Sequence, residues 1–160
     1  MNAIILYTSK HGCAEEVAKA LQKELGPGTE MVNLMVATPS DLRRFDLVVL
    51  GGSIYYGQVQ KQLTAYMNRE KQQVLSAKTI GLYICAAAGG DKAQTELEQA
   101  FPKELVNRAS ACAVLGDRIT PRELSWAEKL VLRVVSGKSG ESGGLFEERI
   151  KQFASELHNG

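Results

Sequence analysis

The chain has 160 residues, 44% hydrophobic and 23% charged, which is the size and composition of one ordinary globular domain, expected over residues 1–160. Its 19 Lys+Arg against 18 Asp+Glu leave a formal charge of +1, which excludes a general electrostatic pull toward nucleic acid or acidic lipid. No window approaches the ~18 consecutive apolar residues of a membrane span, and the first apolar run is too short for a signal peptide, so the expected location is the cytoplasm.

Short apolar runs alternate with segments of helical period, the pattern of repeated βαβ units around a parallel sheet. Ala3 to Tyr7 is the first strand. After the turn at Gly12, residues Ala14, Val17, Ala18, Leu21 and Leu25 repeat as one helical face, Glu15 and Lys19 form an i,i+4 pair, and Gly26-Pro27-Gly28 ends the helix. Thr29 to Leu34 reads as the second strand, followed by a short helical turn from near Ser40. Leu47 to Leu50 is the third strand and runs into Gly51-Gly52-Ser53, after which a helix carries Val59, Leu63, Tyr66 and Met67 on one face. Thr79 to Ala86 is the fourth strand, the next helix turns Ala93, Leu97, Ala100 and Phe101 inward, and Ala109 to Leu115 is the fifth strand. An extra helix from about Pro121 to Ser136 and a Gly/Ser-rich stretch, Ser136 to Gly144, precede the last helix, with Phe146, Ile150, Phe153, Ala154 and Leu157 on one stripe. Such an arrangement predicts an α/β doubly wound parallel sheet of five strands with right-handed crossovers and helices on both faces, three layers in all. The strand order 2-1-3-4-5 is taken by analogy.

In open α/β sheets ligands bind beyond the carboxyl ends of the strands, where the strand order reverses. At the end of the first strand the chain reads Tyr7-Thr8-Ser9-Lys10-His11-Gly12-Cys13-Ala14-Glu15, passing from a strand into a helix N-terminus whose unpaired N–H groups and dipole suit an anion. Thr8 and Ser9 add hydroxyl donors and Gly12 permits the turn. Neither GxxxxGK[ST] nor GxGxxG is present, so a monophosphate fits better than a triphosphate or pyrophosphate. An ordinary βα turn uses the same residue types for local reasons, so the turn by itself leaves both readings open. The three cysteines show no CxxC spacing; Cys85 and Cys112 fall in apolar runs as core thiols, whereas Cys13 falls in the turn. No set of residues has metal-ligand spacing, and with His11 and His158 the only histidines, no catalytic residue is assigned.

A strand leading into T-S-x-x-G-x-x-E at the N-terminus resembles the phosphate loop of the flavodoxin family, and the resemblance extends over nearly the whole chain. It implies a flavodoxin-like fold with FMN as cofactor, its phosphate held by Thr8, Ser9, Lys10, His11, Gly12, Cys13 and Ala14. This chain has His11 and Ala14 where that family commonly places hydroxyl residues, and Lys10 adds charge nearby. The family's loops after the third and fourth strands hold the flavin ring, which here implicates Ser53, Ile54, Tyr55, Tyr56 and Gly57, and then Ala86, Ala87, Ala88 and Gly89. Either Tyr55 or Tyr56 would stack on the ring, with the other one capping the core. A glycine at Gly57 would let a peptide carbonyl rotate to accept the N5 proton of reduced flavin. The second loop has no aromatic, so the other ring face would rest on backbone and methyl groups or lie open.

A closer resemblance is to the flavodoxin subfamily that includes menaquinone-linked protoporphyrinogen IX dehydrogenases. It rests on G-x-S-I-x-Y-G at Gly51 to Gly57 and on a helix followed by S-G-x-x-G-E at Ser136 to Glu141. The resemblance implies an FMN oxidoreductase that oxidises protoporphyrinogen IX or a related reduced substrate and passes electrons to a quinone. A one-electron carrier between redox proteins is the alternative, and a cofactor-free regulatory domain is a third reading. The flavodoxins that shuttle electrons between soluble proteins tend to be strongly acidic, and this chain lacks that field. In the extra helix, the apolar residues between Leu124 and Val135 exceed one buried stripe. Packing on the domain or in a dimer accounts for them, and so does contact of 122–136 with a membrane surface or substrate.

Overall fold

The computed structural model describes residues 1–9, 12–117 and 144–160; Lys10, His11 and the helix expected over 121–136 lie outside the described residues. Strands β1 (Ala3–Thr8), β2 (Glu30–Asn33), β3 (Leu47–Ser53), β4 (Thr79–Cys85) and β5 (Ala111–Gly116) form a parallel sheet in the order β2-β1-β3-β4-β5, the order expected by analogy. Helices α1 (Cys13–Leu25), α2 (Lys61–Leu75), α3 (Gly90–Ala100), α4 (Lys103–Arg108) and α5 (Glu147–Asn159) cover its two faces.

The strands read as unbroken apolar runs because both faces are covered, so each residue of a pleat meets one of two cores. Ile4, Leu6, Val48, Leu50, Ile80 and Leu82 face Leu63, Tyr66 and Met67 of α2 and Leu97 of α3. Ile5, Tyr7, Leu47, Val49, Tyr83 and Cys85 face Val17, Ala18 and Leu21 of α1 and Ile150, Phe153 and Leu157 of α5.

Three local expectations change. The segment after Ser40 is a turn, closed by the Phe45 N–H on the Leu42 carbonyl at 3.1 Å, and its buried Leu42 and Phe45 anchor a loop rather than a helix. Val59 precedes α2 instead of lying on it. A second helix, α4, follows the expected α3 in a stretch to which the sequence assigned no element, and Pro102, which has no N–H to continue α3, separates the two.

Burial carries a pH consequence for three tyrosines. It pushes the Tyr7 phenol up to about 12, with the Glu15 carboxylate adding through a 3.3 Å hydrogen bond from the Tyr7 hydroxyl. Burial pushes Tyr66 up to about 12, with Glu70 adding to it, and Tyr83 well above its ordinary value. Each folded-state value exceeds the unfolded value of 10.0, so the stability these groups contribute is full below that pH and is lost as pH rises toward 12. In an alkaline absorbance titration, phenolate from these three tyrosines appears together with unfolding, and Tyr7→Phe removes one equivalent from that late step. Ionisation of all three in the folded chain near pH 10 would contradict the assignment.

Candidate functional site

At the carboxyl end of the sheet, Thr8 of β1 pairs in register with Gly52 of β3, and Ser53 pairs with Cys85 of β4. Thr8, Ser9 and Ser53 are buried. Neither the Thr8 Oγ1 nor the Ser53 Oγ has a hydrogen-bond partner among the described residues. A buried hydroxyl without a partner costs roughly 1–3 kcal/mol, so two of them where the strand order reverses point to acceptors supplied by a ligand.

Helix α1 starts directly beside them. Its N-cap is Gly12, which supplies no side-chain acceptor, so the first turn keeps its N–H groups and dipole for an anion. Helix α3 starts at the same end with Gly89 as its N-cap, also without a capping side chain. Ser9 braces the turn: its Oγ accepts the Gly12 N–H at 2.7 Å, and its carbonyl accepts the Asn33 Nδ2–H at 2.8 Å. Sequence reasoning missed Asn33, which ends β2 and whose Oδ1 accepts the Met35 N–H at 3.0 Å. The available signal is an asparagine at a strand end just before a turn. Cys13 and Ala14 turn their side chains into the core, so this part of the turn offers main chain only. A hydroxyl at position 14 would itself be buried.

The next segment is folded around two hydrogen bonds. The Ile54 N–H donates to the Cys85 carbonyl at 2.8 Å, which ties the loop after β3 to the end of β4. Tyr55 and Gln58 then exchange both backbone hydrogen bonds, at 2.8 and 3.0 Å, across Tyr56 and Gly57. These two central residues have φ of 51° and 78°, as a two-residue turn of the primed type requires. Tyr56 is the only non-glycine residue at positive φ among the described residues and is 84% exposed, whereas Tyr55 is half-buried. A bulky side chain in that backbone state costs roughly 1–2 kcal/mol, and here the cost holds an aromatic ring in the open. Tyr56→Asn therefore raises thermal stability by about 1 kcal/mol, read as a higher melting temperature. An unchanged or lower value would mean that the turn is relaxed.

The third segment is plain. Ala86 is buried with its N–H on the Gly116 carbonyl at 3.0 Å, Ala88 is half-buried, and Ala87 and Gly89 are exposed. Among the described residues, no cluster of His, Cys, Asp and Glu is able to hold a metal ion.

Beneath the turn, the Tyr83 hydroxyl donates to the Ala14 carbonyl at 2.8 Å and so fixes the first turn of α1 over the sheet. Gly51 makes this possible, since a Cβ there would lie 2.0 Å from the Tyr83 Cζ.

Comparison with known proteins agrees with the fold. Over 147 residues the chain is 22% identical to a protoporphyrinogen IX dehydrogenase [quinone] of Escherichia coli (strain K12), covering 88% of this chain and 81% of that protein. A Streptococcus pneumoniae TIGR4 flavodoxin superposes with a TM-score of 0.65 at 19% identity, covering 99% of each chain. The rubredoxin oxygen:oxidoreductase of Desulfovibrio gigas superposes with a TM-score of 0.62 at 13% identity, over 99% of this chain and 35% of that longer one. The family described as Flavodoxin domain matches residues 4–143, and the chain belongs to this family, which implies FMN as the cofactor.

Proposed function

We propose that FMN is held at the carboxyl end of the sheet and that the bound flavin oxidises a reduced organic substrate, of the porphyrinogen class, with a quinone as electron acceptor. The observation that carries the cofactor site is the pair of partnerless buried hydroxyls on Thr8 and Ser53 beside the uncapped start of α1. The phosphate would take the Thr8 hydroxyl and the main-chain N–H groups of Cys13 and Ala14, with Ser9 keeping the turn in shape by holding the Gly12 N–H. Lys10 and His11 complete this set from outside the described residues. The ring would lie between residues 53–57 and 86–89, with the exposed Tyr56 rather than Tyr55 available to stack. FMN supplies the redox chemistry, while the protein supplies position, hydrogen bonds and exclusion of water.

The substrate class is supported by the E. coli relative, which matches over most of both chains. The near-neutral charge supports a small organic partner over a charge-steered protein one. No helix among the described residues is long and apolar enough to cross a membrane. The apolar segment 122–136 is the proposed contact with a membrane surface that holds the quinone. Anaerobic mixing with a porphyrinogen bleaches the flavin absorbance of the loaded protein, and a soluble menaquinone analogue restores it. A flavin that a reductase protein reduces but a porphyrinogen does not would replace this reading with that of an electron carrier.

A further inference from the structure

Two thiols meet below the candidate cofactor site. A Cβ built on Gly116 would lie 2.5 Å from the Cys13 Sγ and 3.3 Å from the Cys85 Sγ, so the two sulfurs are within about 6 Å of each other. Both residues are buried in the same core, and neither is in a disulfide. They come from different parts of the site. Cys13 is the first residue of α1, directly after the turn at Gly12. Cys85 ends β4, and its carbonyl holds the Ile54 N–H at the start of the loop that leads to Tyr56. The residue between the sulfurs is a glycine, so no side chain from β5 keeps them apart.

We propose that Cys13 and Cys85 form a reversible disulfide that ties the first turn of α1 to the end of β4. A disulfide requires the sulfurs at about 2.05 Å with their Cβ atoms roughly 3.5–4.5 Å apart. Closing it draws the start of α1 toward β4 and moves the N–H groups of the turn. Hydrogen peroxide is a sufficient oxidant. It converts one thiol to a sulfenic acid and releases one water; the second sulfur then attacks that sulfur, the S–S bond forms, and a second water leaves. Two thiols lose two electrons and two protons, and the peroxide O–O bond is reduced. Because both sulfurs are buried, the reaction needs α1's first turn to lift, so a ligand clamped on that turn slows it. The coupling to the cofactor rests on the proposed FMN site; the disulfide itself does not. Linkage makes the coupling mutual, so a disulfide that weakens FMN binding is disfavoured by bound FMN to the same degree.

Full-length protein is treated with hydrogen peroxide, with and without FMN, then alkylated, digested without reductant and mapped by mass spectrometry. The expected product is a peptide pair joined through Cys13 and Cys85, reversed by dithiothreitol, suppressed by FMN, and unchanged in Cys112→Ala. The oxidised protein is expected to bind FMN about tenfold more weakly, with full recovery after reduction. Alkylated Cys13 and Cys85 after peroxide treatment, or a link through Cys112, would overturn the disulfide. A link with unchanged FMN affinity would overturn the coupling. Failure of the reduced protein to bind FMN overturns the cofactor site and the coupling with it, whereas the peptides alone decide the disulfide.

Discussion

Replacing Gly51 with alanine lowers the unfolding free energy by about 2–3 kcal/mol, at the upper end of what overpacking a filled core costs. The added methyl would lie 2.0, 2.1 and 2.5 Å from the Cζ, Cε1 and Cε2 atoms of Tyr83. That ring has no room to retreat, being fully buried with Phe153 against it edge-on at 6.4 Å between centroids. Its hydroxyl is also committed, to the Ala14 carbonyl at 2.8 Å. Relieving the clash means breaking that bond or lifting α1, and either route disturbs the turn that precedes the helix. Gly51→Ala therefore weakens FMN binding as well, although position 51 does not line the site. Tyr83→Phe separates the two effects: it removes the hydroxyl without the clash and costs about 1 kcal/mol. A melting temperature within a degree or two of the parent for Gly51→Ala would show that the sheet accommodates the methyl.

Thr8→Val moves stability and affinity in opposite directions. The Thr8 Oγ1 is buried without a partner among the described residues, and valine keeps the shape while removing the unsatisfied group. The FMN-free protein gains about 1 kcal/mol, because the desolvation cost of the hydroxyl disappears. FMN affinity falls by about tenfold or more, since a hydrogen bond to a charged phosphate contributes roughly 1.5–3 kcal/mol. A mutation that only damaged packing would lower both. Equilibrium unfolding without FMN and a fluorescence titration with it read the two signs separately, and a loss of stability in the FMN-free form would show that the hydroxyl has a partner within the chain.

Much of this fold was legible in the sequence because parallel strands covered on both faces need unbroken apolar runs, and Ala3 to Tyr7 or Thr79 to Ala86 leave little else to be. The strand order came from analogy, since runs of this kind carry no information about their neighbours. The short helix α4 after Pro102 was readable in principle, because proline ends one helix and begins another, but its six residues are too few to show a helical period. Within the site, the turn after β1 was visible as residue types and not as roles. That Ser9 braces the turn while Thr8 is left without a partner depends on Gly12 and Asn33 reaching Ser9, and Asn33 lies 24 positions away. The choice between Tyr55 and Tyr56 was open because their difference is a backbone angle, set by Gly57 and by the pairing of Tyr55 with Gln58. Cys13 belongs to the turn by position, yet its side chain points the other way, into the core shared with Cys85.

A turn from Thr8 to Ala14 that takes the phosphate of FMN distinguishes FMN from riboflavin, which has the ring and no phosphate. Titrated into FMN-free protein and followed by quenching of flavin fluorescence, FMN is expected to saturate at one equivalent, and riboflavin to bind at least about tenfold more weakly, the loss of about 1.4 kcal/mol or more in charge-assisted contacts. The difference should shrink in Thr8→Val. Equal affinity for the two flavins would contradict the phosphate assignment, and no binding of either would contradict the site.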